Sequence, residues 1–290
     1  MASPLEIVWQ EGRYRRWRFL ARGRTIACFN PGGIEPDFFL LRPSLHPVYS
    51  PGGVPLTEQG AHNYPHHKGV WIGHARVNGV NCFSDAPGSG RIVTVAAEPA
   101  IRDGRLWLEA RLRWVDQVGH PLLTEERRLA ILPDALDGTL HLIEIESVLI
   151  ADAGPVVLGS DKHAYCGVRV LDALDEDDGG ILRNSLGQHG AETLLGVIAE
   201  WVDCSGRVGT QGAGITLMRH PQSPPAPFFT RAYGTVLCNY FYDRSLELPA
   251  GGRFRQHFAL AAHDGDAATF DPACAYDVFV REAAFCRRGV

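Results

Sequence analysis

The segment Arg105–Val115, RLWLEARLRWV, decides the fold class, because apolar and polar residues alternate along it. Successive side chains of a β-strand point to opposite faces of the sheet, so this pattern is typical of a strand with one buried face. Two further strands are predicted at 127–132 and 139–150. The sequence PDALDG between them is typical of a turn, so these segments predict an antiparallel sheet.

The rest of the chain continues this pattern. Further strands are predicted at 167–171, 214–218, 234–240 and 254–262. The 32 glycines and 19 prolines interrupt the sequence at short intervals, as the turns of an antiparallel sheet require. The stretch 171–180 is rich in Asp and Gly and is typical of a surface loop.

The best helix signal lies at the end of the chain, at 272–286. Ala275, Val278, Phe279 and Ala283 recur there at helical spacing after Asp271, which suits an N-cap. We therefore predict an all-β fold, in which residues 1–290 form one large antiparallel β-sandwich domain with a short C-terminal helix.

Composition excludes several classes of protein. The chain has 290 residues, of which 45% are hydrophobic and 21% charged, as in ordinary globular proteins. It has no run of about 18 apolar residues that could span a membrane, and its net charge of −5 gives no general attraction to nucleic acids or anionic membranes. We therefore expect a small-molecule partner, with neither a nucleic acid nor a membrane as partner.

The cysteines and the first residues indicate the compartment. The seven cysteines are scattered without a CxxC pair, and those in apolar strands are expected to be small buried hydrophobic residues. The sequence MASPLEIVWQEGRYRRWRF is charged where a signal peptide is apolar. Both features favour the cytoplasm.

The most informative stretch for function is 42–83, which reads RPSLHPVYSPGGVPLTEQGAHNYPHHKGVWIGHARVNGVNCF. Five of the twelve histidines fall in it, and they are His46, His62, His66, His67 and His74. Imidazole exchanges protons near neutral pH and is the commonest metal ligand. The neighbouring Pro, Gly, Asn and Tyr residues are typical of loops, where binding groups concentrate.

Part of this stretch predicts a short strand. If GVWIGH is extended, Val70, Ile72 and His74 share one face. His66 and His67 precede this strand, and we expect them to point in opposite directions. Since both cannot then serve one site in the same way, their roles are expected to differ.

Two alternatives for the histidines stay open. Some of them would cap turns or bond buried backbone groups, since polar groups in tight loops usually have structural partners. A divalent metal is the other alternative, although no HExxH or similar ligand pattern identifies one. Gly69 and Gly73 would let another backbone or a ligand approach closely.

Two later segments also carry polar groups. In GSDKHAYCGVR (159–169), alternation along a strand would place Asp161, His163 and Tyr165 on one face and Lys162 on the other. A lysine beside an acid is often an exposed ion pair, whereas one facing a pocket acts as an acid, base or electrophile. The loop RHPQSPPAPFFTRAYG (219–234) either packs over the sandwich or binds a polyhydroxylated or anionic ligand through Arg231.

These segments, in this order, resemble the PmoA-like family of bacterial proteins. The matching words are RPSLHPVYSPGGVPLT, PHHKGVWIGHARVNGVNCF, Lys162 followed by YCGVRV, Asn-Ser at 184–185 before Trp201 and DCSG, HPQSP, RAYG and ALAAHDGD, over about residues 40–266. The family name refers to a methane oxygenase subunit, but this chain has no apolar spanning segment. The resemblance implies a large sandwich similar to that of aldose 1-epimerases (the galactose mutarotase-like supersandwich), in which loop histidines and a carboxylate act on a sugar. The chain departs from the common pattern at His163, where an acid is usual, and at 228–230, where Trp-His is usual.

The leading hypothesis is an enzyme that acts by acid–base chemistry on a sugar or an oxidised sugar derivative, as a hydrolase, lyase or epimerase. The predicted catalytic residues are His66, His67, His74 and Lys162. The predicted substrate-binding residues are Arg42, His46, Asn78, Arg169, Asn184, Arg231 and Tyr233. The cofactor is not identified by the sequence, and a divalent metal stays open.

Two other functions are compatible with the sequence. A non-catalytic carbohydrate-binding protein would expose aromatic platforms, for which the candidates are Trp71, Tyr49, Tyr64 and Phe229. A metal-dependent oxygenase or lyase of natural-product metabolism would use the histidines as ligands. The enzymatic hypothesis requires the early imidazoles and the mid-chain basic groups to converge around one hollow.

Overall fold

A computed structural model describes residues 4–12, 15–32 and 41–285. The strands in this part of the chain are β1 (Leu5–Gln10), β2 (Arg16–Ala21), β3 (Arg24–Asn30), β4 (Ser44–Val48), β5 (Val70–His74), β6 (Arg91–Arg102), β7 (Arg105–Val115), β8 (Pro121–Asp134), β9 (Leu140–Ile150), β10 (Val156–Leu158), β11 (Ala164–Arg169), β12 (Ile181–Asn184), β13 (Trp201–Val208), β14 (Gln211–Arg219), β15 (Phe228–Arg231), β16 (Thr235–Cys238), β17 (Leu246–Leu248) and β18 (Arg253–Asp264). The helices in the same part are α1 (Ala135–Gly138), α2 (Ala191–Leu194) and α3 (Pro272–Glu282), with a 3-10 turn at Asp172–Leu174.

The strands form two large antiparallel sheets, which confirms the predicted fold class. The first sheet has the order β1-β2-β3-β4-β5-β11-β16-β15, and the second has the order β12-β13-β14-β18-β9-β8-β7-β6. Strands β10 and β17 form a separate two-stranded pair. In the first sheet β5 pairs with β11, and β11 pairs with β16, so segments distant in sequence lie side by side.

The core lies between the two sheets. Phe29 and Ile72 of the first sheet and Leu108 and Ile145 of the second belong to one continuous apolar cluster. Burying each such side chain stabilises the fold by about 1.5–3 kcal/mol. The alternation in 105–115 has the predicted effect, because Leu108 is fully buried while its neighbour Glu109 is on the opposite face.

The predicted elements correspond closely to the observed ones where one face of a strand is buried. The segment 105–115 is β7 in full, and 139–150 corresponds to β9. The segment 127–132 is the inner part of the longer β8. The turn PDALDG reverses the chain through positive φ angles at Asp134, Leu136 and Asp137. The stretch 171–180 is a loop with a 3-10 turn, although Leu174 within it is buried.

The predicted C-terminal helix is α3. The side chain of Asp271 accepts a hydrogen bond from the backbone N–H of Ala273 at 3.0 Å, which confirms it as the N-cap. The helix ends at Glu282 rather than at residue 286, which lies outside the described residues. Its buried side includes Val278 and Phe279, which pack on the second sheet.

The cysteines of the described part are all unpaired, and five of them are buried: Cys28, Cys82, Cys166, Cys204 and Cys238. Cys274 is exposed on α3, outside the apolar strands to which the expectation of burial applied. Within the described ranges, no helix combines the length and the apolar composition needed to cross a membrane.

Candidate functional site

Two adjacent histidines lie among aromatic rings on the outer face of the first sheet. The ring centroids of His66 and His67 are 4.6 Å apart. His67 stacks on Trp71 at 5.3 Å, and His66 meets the edge of Phe83 at 5.8 Å. The early loop therefore brings both imidazoles to one place, as the leading hypothesis requires.

Alternation along β5 explains why this cluster lies on the outer face. Val70 and Ile72 point into the core between the sheets, so Trp71 points away from it. The neighbouring strand has a glycine beneath the indole, where a Cβ at Gly167 would lie 3.1 Å from the ring of Trp71. Gly69 has φ +67°, which favours glycine, and a Cβ added there would lie only 2.4 Å from the carbonyl oxygen of Leu45.

A third imidazole, that of His163, reaches the same cluster. Its ring lies 5.6 Å from that of Phe83 and 6.2 Å from that of Phe229. Its Nδ1 lies 3.0 Å from Oδ1 of Asp161, and the same oxygen accepts the backbone N–H of His163 at 2.7 Å. A carboxylate only accepts hydrogen bonds, so in the neutral ring Nδ1 carries the proton and Nε2 has the lone pair.

The charge state of Asp161 supports this arrangement. Burial acts to raise its pKa, but the hydrogen bonds from His163 and the ion pair with Arg76 outweigh burial and hold the pKa below its usual value. Asp161 is therefore a carboxylate at neutral pH. The side chain of His163 is 45% exposed, so a ligand can reach the ring.

His67 forms the inner layer of the cluster. It is buried, its Nδ1 lies 3.2 Å from the hydroxyl of Thr235, and it stacks on Tyr64 at 5.1 Å. Tyr64 in turn stacks on Tyr233 at 4.5 Å. Burial, together with the nearby charges of His66 and arginines, lowers the pKa of His67 to about 2. This histidine is therefore neutral and held rigidly.

His66 is more accessible than His67, since it is half-buried. Burial lowers its pKa to about 4, and the charge of Arg42 acts in the same direction. At neutral pH the imidazole is therefore unprotonated, so it can accept a proton or donate its ring N–H as a neutral group.

Two buried cations share one carboxylate below the imidazoles. Asp85 lies 3.2 Å from Nη1 of Arg42 and 3.1 Å from Nζ of Lys68. Arg42 also donates to the carbonyl oxygen of His66, and Lys68 donates to that of Pro65 at 2.6 Å. These bonds fix the loop that carries the histidines. Arg42 is only 1% exposed, so it acts on the site through its charge and this loop rather than by touching a ligand.

Three predicted binding residues line another side of the cluster. Arg169 lies over the ring of Tyr233 at 5.2 Å and pairs with Glu58 at 2.9 Å. Arg231 lies over the ring of Phe229 at 4.2 Å. The structure therefore brings Arg169, Arg231 and Tyr233 together with the histidines.

The structure does not bring His74 to this cluster. It lies on the core side of β5, fully buried, where its ring packs on Phe241 at 4.6 Å. Its Nδ1 accepts the backbone N–H of Arg76 at 2.9 Å. The expected convergence of His66, His67 and His74 is therefore corrected, because His74 is on the opposite face of the sheet from the other two.

Lys162 does not contact the cluster either. It is exposed in the turn before β11, and it forms neither a hydrogen bond nor an ion pair with any residue of the described ranges. Alternation along a strand does not apply at this position, since β11 begins at Ala164. Tyr165 is buried in the core, whereas His163 faces the aromatic cluster, so these two do not share a face as predicted.

The three remaining predicted binding residues have structural partners. Nδ1 of His46 lies 3.0 Å from the hydroxyl of Thr57. Asn78 connects its own turn to β10, because its Oδ1 accepts the backbone N–H of Val157 at 2.7 Å. Asn184 lies in the second sheet, where its Oδ1 accepts the N–H of Leu186 at 3.0 Å. Asn78 and Asn184 are therefore turn-forming residues, not part of this cluster.

The geometry offers no ligand set for a metal among the histidines of the described residues. A group of three potential ligands with atoms within 4.8 Å of one another is formed by Asp172, Asp175 and Asp178. Asp172 is already paired with Arg169 at 3.1 Å, and Asp178 is an exposed residue of the same loop. Exposed carboxylates such as those of Asp172 and Asp178 are common without an ion, and Asp175 between them is buried.

A separate cavity of about 700 Å³ lies on the outer face of the second sheet. None of the predicted site residues lines it. Its walls are charged, and the charges pair with one another, as in Arg253–Glu126 and Arg255–Glu146 at 2.6 Å. Because most of its charged groups are paired and no predicted site residue lines it, we place the candidate site at the histidine cluster of the first sheet.

Sequence reasoning missed three residues of the cluster: His163 as a proton-transfer group, and Phe83 and Asp85 as supporting groups. The signal for His163 was present, since Asp161 and His163 are two residues apart and can bond within one turn. Phe83 and Asp85 had no local signal, because their contacts depend on how the loop folds back.

Comparison with known proteins identifies a family but no activity. No curated protein matches the chain. It is similar to the alpha-galactosidase from Lactobacillus brevis at 11% identity and a TM-score of 0.44, over 90% of this chain and 38% of that chain. It is also similar to a TPR-domain containing protein from Parabacteroides distasonis at 9% identity and a TM-score of 0.32, over 93% of this chain and 55% of that chain.

The chain spans well under half of that alpha-galactosidase, and both similarities are too low to assign an activity. A family model, by contrast, matches residues 16–274, nearly the whole described chain. The protein therefore belongs to DUF6807, a family of unknown function.

Proposed function

We propose that this protein is an enzyme that moves protons on a sugar or an oxidised sugar derivative, with His163 and His66 as the proton-transfer residues. One observation carries the proposal: both imidazoles contact the ring of Phe83, at 5.6 and 5.8 Å, and the first of them is oriented by Asp161. Acid–base catalysis at a carbon atom or a glycosidic oxygen of a sugar needs two proton-transfer groups close to one sugar ring.

His163 is suited to the role of base. Asp161 holds its Nδ1–H, so that Nε2 can accept a proton while the carboxylate stabilises the imidazolium that forms. His66 is unprotonated at neutral pH and presents the second imidazole. In a proton abstraction next to a carbonyl group, the C–H electron pair moves into a C=C bond and the carbonyl oxygen becomes negative. A ring N–H of His66 can then donate to that oxygen.

The surroundings favour developing negative charge. Arg42 and Lys68 lie beneath the loop of His66, and Arg231 stands at the edge of the cluster. Fixed cations in a partly dry site stabilise an oxyanion more than they would in water. This supports a lyase or an epimerase over a hydrolase.

A sugar suits the surface of the site. Tyr64 and Tyr233 are half-buried and give apolar ring surface for the C–H groups of a sugar, while the imidazoles and Arg231 suit its hydroxyl groups. The motif resemblance to PmoA-like proteins supports the same substrate class. The platforms expected of a non-catalytic binding protein fit less well, because Trp71 is 1% and Phe229 4% exposed.

The proposal is tested by proton NMR in D2O. The protein is incubated with neutral hexoses, their uronic and aldonic acids, and keto-sugars, and the spectra are followed for product and for exchange of carbon-bound hydrogen. We expect conversion or exchange for one of these classes, and loss of it in His163→Gln.

A matched control is available within the chain. His120 makes a similar contact, with Nδ1 3.0 Å from Asp116, but it is 79% exposed and remote from the cluster. His120→Gln should therefore leave the reaction unchanged. Binding of a sugar without product or exchange would contradict the proposal and favour a binding protein, and full turnover in His163→Gln would remove the proposed base.

A further inference from the structure

Arg231 is held in a defined position at the edge of the candidate site. Phe229 and Arg231 are two residues apart on β15, so both side chains point to the outer face. The guanidinium lies over the ring of Phe229 at 4.2 Å, and Nη1 donates to the carbonyl oxygen of Thr230 at 3.1 Å. Stacking on an aromatic ring fixes the plane of a guanidinium group.

No carboxylate of the described residues forms an ion pair with Arg231. The acids within the site are already engaged, since Asp85 bonds Arg42 and Lys68, Asp161 bonds His163 and Arg76, and Glu58 bonds Arg169. In contrast, Arg128, Arg253 and Arg255 on the outer face of the second sheet pair with glutamates, as Arg255 does with Glu146 at 2.6 Å.

This positive charge is local. The whole chain carries a net charge of −5, so the excess of cations at the site does not reflect the overall composition. Arg231 is half-buried, and removing a guanidinium from water without giving it an anionic partner costs free energy. A ligand that supplies the missing negative charge would therefore gain affinity.

We infer that the substrate is a sugar acid whose carboxylate binds Arg231 while its ring lies beside the accessible imidazole of His163. The inference rests on the proposed function, which it extends by naming the substrate class. The ring of Phe229 contacts both Arg231 and His163, so the carboxylate and the reacting carbon are one aromatic ring apart.

A carboxylate fits better than a phosphate. The guanidinium fork matches two carboxylate oxygens, which gives charge-assisted bonds with defined geometry. A phosphate usually collects several N–H donors, often at a helix N-terminus. The described part of the site presents a single guanidinium without an anionic partner. The helix α2 packs against β15, but it has only four residues and is too short to supply such an N-terminal site.

Calorimetric titration of the full chain tests this inference without requiring turnover. The probes are three matched pairs, namely glucuronate and glucose, galacturonate and galactose, and mannuronate and mannose, together with the three hexose 6-phosphates. We expect at least one uronate to bind about 10- to 100-fold more tightly than its neutral hexose, which is the usual effect of a hydrogen bond to a charged group. Its affinity should fall as the salt concentration rises.

Variants assign the effect to Arg231. Arg231→Gln should lose the preference for the uronate but keep the affinity for the hexose, whereas Arg231→Lys should keep part of the preference because the charge remains. Arg207→Gln is the control, since Arg207 is an exposed arginine of the second sheet. It should bind all probes as the wild type does.

Three results would overturn the inference: no uronate binds, the hexose binds as tightly as its uronate, or the preference survives in Arg231→Gln. Stronger binding of the 6-phosphates would replace the carboxylate with a phosphate and overturn it as well. His163→Gln separates this inference from the proposed function, because it should abolish turnover while the uronate preference remains.

Discussion

Oδ1 of Asp161 accepts two hydrogen bonds from one residue, the backbone N–H of His163 at 2.7 Å and the ring Nδ1–H at 3.0 Å. This double contact positions the imidazole within a single turn of the chain. The ring therefore presents Nε2 to the aromatic cluster, and no further strand or helix is needed to hold it in this orientation. The orientation of the proposed base depends on one carboxylate.

Asp161→Asn is expected to lower kcat by about 100-fold, which is a typical contribution of an oriented acid–base group. The amide oxygen can still accept both hydrogen bonds of His163, but the negative charge that stabilises the imidazolium is lost. Turnover of the substrate found by NMR is the measurement, and Asp116→Asn, which alters the similar contact with His120, is the control. An unchanged kcat in Asp161→Asn would show that the negative charge of Asp161 does not assist the base.

The pH dependence of stability should reveal His74. Burial lowers its pKa in the folded protein to about 4, from 6.5 in the unfolded chain. Between these values the unfolded chain binds a proton that the folded protein does not, so the free energy of unfolding decreases as the pH falls from about 6.5 to 4. A single such group contributes a slope of up to about 1.4 kcal/mol per pH unit.

His74→Gln should therefore flatten the dependence of the unfolding free energy on pH, measured by urea denaturation at several pH values between 4.5 and 7. His62→Gln is the control because His62 is exposed. Identical slopes in the wild type and His74→Gln would mean that His74 is protonated in the folded protein.

Asp85→Asn is expected to destabilise the protein by about 3 kcal/mol, because removing the charge leaves two buried cations without their shared anion. The urea midpoint measures this effect. Adding Lys68→Met to Asp85→Asn should restore part of the lost stability, since one of the two cations is then removed. If Asp85→Asn alone changes the free energy of unfolding by less than about 0.5 kcal/mol, water or another group compensates the charges of the two cations.

Asn184→Ala should reduce stability and leave ligand binding unchanged. The side chain accepts the N–H groups of Leu186 and Gln188 at 3.0 and 3.1 Å, and it is 2% exposed. Loss of these bonds is expected to cost about 1–3 kcal/mol. Asn184→Asp keeps both acceptors and should cost less. A change in sugar affinity without a change in stability would restore Asn184 as a binding residue.

The fold was predictable wherever one face of a strand is buried. Along Arg105–Val115, residues that face the core alternate with residues that face the solvent, so the strand and its bounds follow from the sequence. In β11 the six residues are all buried, because the aromatic cluster covers one face and the core covers the other. Alternation is then weak, and the predicted segment 167–171 overlaps only its second half.

The site was predictable in part. The density of histidines pointed to the loop of His66 and His67, whose ring centroids lie 4.6 Å apart in the structure. His74 shares its face with Val70 and Ile72, so the alternation that predicted β5 also assigned this histidine to the core. The partner of His67 is Thr235, which is 168 residues away, and no local pattern indicates such a contact.

The chain order of the first sheet bears on how the protein acquires its site during synthesis. Strand β5, which follows the histidine loop, is joined to β16 only through β11, and Arg231 and Thr235 lie far downstream. A nascent polypeptide that ends before residue 235 has the imidazoles but neither the hydroxyl that holds His67 nor a complete sheet beneath them. Until β16 has been synthesised, the edge of β11 that it covers has unpaired backbone N–H and C=O groups, and such an edge is prone to pair with other chains.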